Sequence, residues 1–362
     1  IYPYGEATAH LTGYVQTINA EELEKNADAG YTASSKIGKA GVENLLEDRL
    51  RAIDGKKIVI LDSEGNEKKA LAVQEHKSGE DVKLTIDASL QSMLYDQAHE
   101  DKSAMVVTNP KTGEVLALMS TPSYDPNAFV LGFEDNQWES WRDDARQPMY
   151  NRFKAAIVPG SSFKPVIAGI GLTTGSFTAD EDFGAHGRSW QKDSSWGNYN
   201  ITTLVDSGSP IALGNAMINS DNIYFSKAAL KIGSDQLGSE LKRLGFGQEL
   251  GFMFGTTPSS FGTDNAFTEE IDLADSGHGQ GRVLVNPAHM AAMYSAFSNE
   301  GNMLQPYLEL DSPPEQSVMV SGAFSADAVR TIGDAMLNVV ENPAGTAHQL
   351  RIDGLRIAAK TG

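Results

Sequence analysis

The chain has 362 residues, which is long enough for one large domain and a smaller one. Its 29 basic and 48 acidic residues give a net charge of −19, and this acidity argues against nucleic acid as a partner. The lack of cysteine excludes disulfide bonds, a thiolate nucleophile and a zinc–thiolate site, and no run of about 18 apolar residues that could span a membrane is present.

The first part of the chain is predicted to form a small region of its own. Residues 1–79 contain short strand patterns and one amphipathic helix pattern over 42–53, and they end in the polar stretch 74–79. Polar stretches of this kind are typical of domain boundaries, so we divide the chain into 1–80 and 81–362.

The second region combines strand and helix patterns. In chain order they predict a strand over 81–86, a helix over 88–99, a hairpin over 104–119, a helix over 163–172, a helix–loop–helix over 215–230, and helices over 287–298 and 325–340. Ser325 is the predicted N-cap of the last helix. Strands early and late with helices between them predict an α+β fold, in which an antiparallel sheet packs with helices.

Three short sequence motifs, or words, occur in a fixed order in this region. They are S-S-F-K at 161–164, S-D-N at 220–222 and K-T-G at 360–362. The set S-x-x-K, S-D-N and K-T-G is that of β-lactamases and penicillin-binding proteins. Together the words supply a hydroxyl nucleophile, a lysine to activate it, a proton relay and a cation that can hold a carboxylate.

The surroundings of Ser161 favour a catalytic position. Pro159 and Gly160 interrupt the chain just before it, and an apolar run long enough for a buried helix follows. Pro165 fits only the first turn of that helix, which places Ser161 at its start. The alternative is that Ser161 is a helix N-cap, a common use of serine. A spacing of three residues puts Lys164 on the same helix face, so the two side chains can meet.

Single words are weak evidence, because copies occur elsewhere. S-x-x-K recurs at 189–192 and 239–242, and K-T-G recurs at 111–113. The second K-T-G follows Asn-Pro between two apolar runs, which predicts a surface hairpin turn. Leucine spacing predicts a solvated helix around 239–242. S-D-N taken alone would suit a helix-capping turn equally well.

The chain resembles the transpeptidase region of class B penicillin-binding proteins, most closely the low-affinity, methicillin-resistance type of Gram-positive bacteria. Besides the three words, the resemblance rests on GKAGVE at 38–43, LTID at 84–87, NPKTG at 109–113, STPSYD at 120–125, PGS at 159–161, WQK at 190–192 and GQG at 279–281. It implies the penicilloyl-serine transferase fold, an antiparallel sheet plus an all-helical subdomain in 81–362, with a non-catalytic linker or pedestal in 1–80.

The resemblance implies a role for each catalytic residue. Ser161 is the nucleophile, and Lys164 removes its proton once burial and a second cation, Lys360, have lowered the lysine pKa from about 10.4. Ser220 relays a proton to the leaving amine. Asn222 bonds Lys164 and the peptide group of the substrate.

The expected function is that of a peptidoglycan D,D-transpeptidase that works through a serine acyl-enzyme and is covalently inhibited by β-lactams. Lys360, Thr361 and Gly362 are expected to hold the carboxylate of a D-Ala-D-Ala stem peptide or of a β-lactam, and Gln280 to touch the substrate. Neither a metal nor a cofactor is expected.

Other functions match the sequence less well than the transpeptidase does. A serine β-lactamase needs a carboxylate that activates the deacylating water, and the nearest match to its E-x-x-L-N word is D-A-M-L-N at 334–338, which we interpret as a coincidence. A β-lactam-sensing receptor would need a signalling domain, which these residues do not contain. A Ser-His-Asp triad with His278 or His289 lacks the G-x-S-x-G context, and no H-x-x-x-H zinc pair occurs.

The resemblance also implies a location and partners. The family acts outside the cytoplasm, at the outer face of the cytoplasmic membrane, through an N-terminal anchor that this sequence does not contain, and it works with other cell-wall synthesis proteins. The family's K-T-G strand continues beyond the glycine and supplies the second oxyanion donor. We therefore expect a C-terminally incomplete domain whose last residues, 360–362, form an exposed edge strand.

Overall fold

The structure is a computed structural model that describes residues 1–184, 187–208 and 210–362. The chain divides into two compact units. The first unit comprises Ile1–Met105, Leu116–Arg152 and Leu308–Ser312, and the second comprises Val106–Val115, Phe153–Tyr307 and Pro313–Gly362. All residues predicted for the active site lie in the second unit.

Short elements make up the first unit, and its boundary with the second falls within β5 and β6. The helices up to residue 143 are α1 Ala9–Thr12, α2 Ala20–Lys25, α3 Gly41–Leu45, α4 Glu47–Leu50, α5 Ala88–Ala98, α6 Ala128–Leu131 and α7 Gln137–Asp143. The strands are β1 Val15–Thr17, β2 Lys36–Gly38, β3 Lys56–Leu61, β4 Glu67–Gln74, β5 Ser103–Thr108 and β6 Val115–Thr121. They pair as β1–β2, β3–β4 and β5–β6.

Local signals explain which predictions in this part succeeded. Helix α5 begins where predicted because the Asp87 carboxylate accepts hydrogen bonds from the backbone N–H groups of Ser89 and Leu90. The predicted helix over 42–53 is wrong in length, since non-helical backbone at Leu46 divides it into α3 and α4. The predicted strand over 81–86 is reduced to one isolated bridge, from Leu84 to Glu309.

Longer helices dominate the second unit. They are α8 Lys164–Thr173, α9 Leu213–Ile218, α10 Asn222–Ile232, α11 Ser234–Arg243, α12 Glu270–Ser276, α13 Pro287–Ser298 and α14 Ala326–Glu341. Its short strands pair antiparallel, β7 Ser189–Trp190 with β8 Ile201–Thr202, and β9 Met303–Leu304 with β10 Val318–Val320. The described residues thus hold helices and small two-stranded sheets.

Helix α8 is at the centre of the second unit. Its side chains Val166, Ile167 and Ile170 are fully buried, and each contributes about 1.5–3 kcal/mol by leaving water. Helices α10 and α14 pack against it. The helix that follows Ser161 is therefore held rigidly by the core, as its apolar sequence predicted.

Two further predictions concern the chain end and the membrane. Residues 360–362 form no strand; their backbone is irregular, and Ala359 N–H donates to the Met336 carbonyl 3.1 Å away. The edge-strand prediction is therefore wrong for this structure. Among the described residues, no helix combines the length and apolar character needed to cross a membrane.

Candidate active site

A tight 3₁₀ turn, Gly160–Phe163, presents Ser161 at the start of α8. Gly160 has a φ of +55°, which glycine adopts without strain. The N-cap of α8 is Phe163, whose side chain makes no capping hydrogen bond, so Ser161 does not cap this helix. The neighbouring Ser162 hydroxyl donates to the Pro159 carbonyl at 2.6 Å, whereas the Ser161 hydroxyl accepts from Lys164.

The Lys164 side chain is fully buried at the centre of the site. Its Nζ lies 2.9 Å from Ser161 Oγ, 3.0 Å from Ser220 Oγ and 2.7 Å from the Ser220 carbonyl. It also lies 2.7 Å from Asn222 Oδ1. The amine therefore connects the first predicted word to the Ser220 and Asn222 side chains of the second.

Burial of Lys164 changes its chemistry. Desolvation, followed by the positive charge of Lys360, lowers its pKa to about 6, and the negative charge of Asp221 opposes this change. A lysine with such a pKa is mostly neutral at pH 7, so it can accept a proton. The sequence predicted that burial and the Lys360 cation lower the pKa of Lys164, and the environment of Lys164 agrees with that prediction.

The second word lies at the junction between α9 and α10. Asp221 caps α10, its carboxylate accepting from the N–H groups of Ile223 and Tyr224 at 2.9 and 3.0 Å. Ser220, just before the cap, has a φ of +52°, a conformation that costs a non-glycine residue about 1–3 kcal/mol. The S-D-N motif therefore caps α10 and also contributes side chains to the candidate site. The strained backbone turns both the hydroxyl and the carbonyl of Ser220 toward Lys164.

The third word completes the cluster from the chain's last residues. Lys360 Nζ donates to Ser220 Oγ at 2.8 Å, and burial lowers the pKa of Lys360 to about 8. The Thr361 hydroxyl donates to Thr346 Oγ1 at 3.0 Å. Gly362 approaches the nucleophile's turn, since a Cβ built on it would lie 3.6 Å from the Pro159 carbonyl oxygen.

The predicted substrate-contacting residue Gln280 lies in an exposed position on the glycine-rich segment 277–281. This segment packs against the nucleophile's turn, because Gly160 N–H donates to the Gly279 carbonyl at 2.9 Å. A Cβ at Gly279 would lie 2.0 Å from the Gly160 carbonyl oxygen, so only glycine permits this approach. The segment places Gln280 beside the turn that carries Ser161.

The histidines considered for a triad take other partners. His278 Nδ1 lies 3.0 Å from Ser226 Oγ, and His289 Nδ1 lies 2.7 Å from Ser259 Oγ. Neither hydrogen bond involves Ser161. His278 is nonetheless buried, and the charge of Lys164 lowers its pKa. No spacing or motif in the sequence indicates that these two residues lie close together.

The duplicate words lie apart from this cluster. Lys111 lies in the β5–β6 hairpin turn, as predicted, and donates to the Ser298 carbonyl. Lys242 is exposed on α11, and Lys192 pairs with Glu270. Across residues 1–184, 187–208 and 210–362, no group of three or more His, Asp or Glu side chains is arranged to hold a metal ion.

Known protein families and individual proteins match both parts of the chain. Residues 103–362 match the penicillin-binding protein transpeptidase domain, and residues 1–84 match the penicillin-binding protein dimerisation domain. The chain is 40% identical over 361 residues to penicillin-binding protein 3 of Bacillus subtilis and 30% identical over 397 residues to the peptidoglycan D,D-transpeptidase MrdA of Escherichia coli K12. Both alignments include the whole chain, which spans 53% and 60% of the length of those proteins.

Solved structures share the fold. The PBP2 of Helicobacter pylori, in complex with MreC, has a TM-score of 0.87 at 23% identity, over 100% of this chain and 68% of that chain. The PBP2 of Pseudomonas aeruginosa, in complex with WCK 5153, has a TM-score of 0.79 at 26% identity, over 97% of this chain and 77% of that chain. The predicted mixed fold of helices and antiparallel strands is confirmed.

Proposed function

Since this chain belongs to the class B penicillin-binding proteins, we propose that it is a serine D-Ala-D-Ala transpeptidase that cross-links peptidoglycan stem peptides. One observation carries the proposal: the buried Lys164 amine lies 2.9 Å from the Ser161 hydroxyl. That spacing suits direct transfer of the serine proton to a neutral amine. The name of the Escherichia coli relative, a D,D-transpeptidase, supports the same reaction.

Acylation follows from the positions of these groups. The neutral Lys164 amine accepts the Ser161 proton as Oγ bonds to the carbonyl carbon of the penultimate D-Ala. The C–N bond then breaks, and the terminal D-Ala leaves with a proton supplied through the Ser220 hydroxyl, which contacts Lys164 and Lys360. An amine of a second stem peptide attacks the ester, forms the cross-link and restores the serine.

The remaining residues hold the substrate. The Lys360 cation and the Thr361 hydroxyl bind the terminal carboxylate, and Gly362 borders the same position. Asn222 Oδ1 accepts a hydrogen bond from Lys164, and the Asn222 amide nitrogen donates one to the Thr202 carbonyl at 2.9 Å. Asn222 and Gln280 bind the peptide groups of the substrate. β-Lactams acylate Ser161 in the same way and inhibit the enzyme.

The β-lactamase alternative is less well supported. It requires a carboxylate that activates water at the acyl-enzyme. Asp334, the nearest match in sequence, lies on α14 and lines a surface cavity of about 330 Å³ with Arg330 and Arg356. The hydrogen bonds of Lys164 go instead to hydroxyl, amide and carbonyl oxygens. A persistent acyl-enzyme is therefore the expected outcome.

The acylation rate is expected to depend on pH as a bell-shaped curve. The rate rises through pH 6, because Lys164 must be neutral and its pKa is lowered to about 6. It falls again as pH passes 8, because Lys360 must stay protonated to hold the carboxylate and its pKa is lowered to about 8. Rate constants with a fluorescent penicillin across this range measure both limbs.

In the Lys360→Gln variant the acid limb should move to higher pH, since the charge that lowers the Lys164 pKa is gone; an unmoved limb would contradict this coupling.

We also propose that the chain belongs to a narrower subgroup of the family, the low-affinity type. The short words shared with the low-affinity, methicillin-resistance type of Gram-positive bacteria support it, as does 40% identity to a Bacillus subtilis protein. Antibiotic resistance follows from slow acylation by methicillin. The measurement is the ratio of acylation rates for methicillin and for benzylpenicillin, and equal, rapid rates would exclude the low-affinity type.

Domain roles, location and partners follow from the family. We propose that residues 1–80 form a non-catalytic pedestal and 81–362 the transpeptidase domain, supported by the family matches to 1–84 and 103–362. The site works outside the cytoplasm, at the outer face of the membrane, on peptidoglycan stem peptides. The complex of the Helicobacter pylori relative with MreC supports a cell-wall synthesis protein as a partner.

Intact-mass spectrometry after exposure to benzylpenicillin tests the proposed function. The expected result is a stable adduct of one whole penicillin, mapped to Ser161 by peptide digestion. Hydrolysed drug with unmodified protein would support the β-lactamase instead. Unmodified protein with intact drug would overturn both functions.

A further inference from the structure

The segment that contains His278 is wedged between α10 and the nucleophile's turn. On one side, a Cβ at Gly277 would lie 2.2 Å from the Phe225 carbonyl oxygen of α10. On the other side, the Gly279 carbonyl accepts from Gly160 N–H at 2.9 Å. The two glycines allow a close backbone approach on each side, and His278 lies between them in the chain.

A buried hydrogen bond joins His278 to α10. His278 is 4% exposed, and its Nδ1 lies 3.0 Å from the hydroxyl of Ser226, which is fully buried. Ser226 is four residues after Asn222, so both side chains project from the same face of α10. The bond therefore connects the segment beside Ser161 to the helix that carries Asn222.

The imidazole is neutral at this position. Burial, followed by the positive charge of Lys164, lowers the pKa of His278 to about 4, and hydrogen bonding to Gln280 and to the Ala274 carbonyl opposes this change. A neutral ring keeps its hydrogen bond without adding a positive charge near Lys164. The charge that would disturb the active-site lysines is thus absent at pH 7.

We propose that His278 is a positioning residue for acylation, holding the Ser161 turn in register with the Asn222 helix through its bond to Ser226. The inference rests on the proposed function, since acylation is the reaction it serves. His278 touches neither substrate nor the reacting atoms; it acts through the backbone between Gly277 and Gly279. Removing the His278 side chain therefore slows acylation of Ser161 and leaves the pKa of Lys164 unchanged.

Stopped-flow acylation by a fluorescent penicillin tests this with His278→Phe, Ser226→Ala and the double variant. The limiting acylation rate is expected to fall about ten-fold in each, as for one lost buried hydrogen bond, with little change in the dissociation constant of the initial complex. The double variant should be no slower than His278→Phe, because both changes remove the same bond. His278→Asn, which keeps an amide near the position of Nδ1, should recover most of the rate. The acid limb of the pH profile should not move.

Several results would overturn the inference. They are an unchanged limiting rate in Ser226→Ala, additive losses in the double variant, or a shifted acid limb, which would point to a proton-transfer role. Thermal unfolding separates misfolding from misalignment, and Ser226→Ala, a small buried change, serves if His278→Phe does not fold. Failure of the unaltered protein to form an adduct would overturn the proposed function instead, and this inference with it.

Discussion

The Ser161→Ala variant is expected to form no penicilloyl adduct at all, because it removes the hydroxyl oxygen that we propose bonds to the β-lactam carbonyl carbon. Lys164 would keep its bonds to Ser220 and Asn222, so the fold should survive the change. Intact-mass spectrometry with benzylpenicillin measures the result. The matched control is Ser162→Ala, since the Ser162 hydroxyl donates to the Pro159 carbonyl and takes no part in proton transfer.

The control must remain acylated for this prediction to stand. If Ser162→Ala lost the adduct while Ser161→Ala kept it, the nucleophile would be the neighbouring serine. An adduct on both variants would place the acylation site outside the first word altogether.

The Lys164→Met variant should slow acylation by about 10²–10⁴-fold, the usual contribution of a positioned general base. Methionine fills the buried space with a similar apolar stem but cannot accept the Ser161 proton. It also removes the hydrogen bonds to Ser220 and Asn222, so the loss should lie toward the upper end of that range. Acylation rates with a fluorescent penicillin, compared with the unaltered protein, measure it.

Lys242→Met is the matched control, because Lys242 occupies the same place in a second S-x-x-K pattern on the exposed face of α11. Its acylation rate should be unchanged. The residual activity of Lys164→Met should also lose the acid limb near pH 6, since the group with a pKa of about 6 is gone. A limb that persists in this variant would mean that another group is the base.

Local sequence was sufficient for many elements of the fold. Residues 287–298 were predicted as a helix and form α13 over the same range, and Ser325 caps α14 through a bond to Ala328 N–H. Apolar periodicity, proline at the first turn and capping side chains act within a few residues, so they can be recognised without the rest of the molecule. The predictions that failed depend on distant partners. The segment 81–86 forms a single β-bridge, to Glu309, in place of a strand. Residues 360–362 are held by side-chain hydrogen bonds of Lys360 and Thr361, without strand pairing.

The sequence by itself predicted the chemical groups of the candidate site: two serines, two lysines and an asparagine, in the order that β-lactamases and penicillin-binding proteins share. Only the tertiary structure decided that they meet, because Ser220 is 56 residues from Lys164 and 140 from Lys360 along the chain. It also decided that Lys164 is fully buried, which is why its pKa falls to about 6, and that His278 bonds Ser226. Desolvation and long-range hydrogen bonds depend on what packs around a group, and one-dimensional spacing does not contain that information.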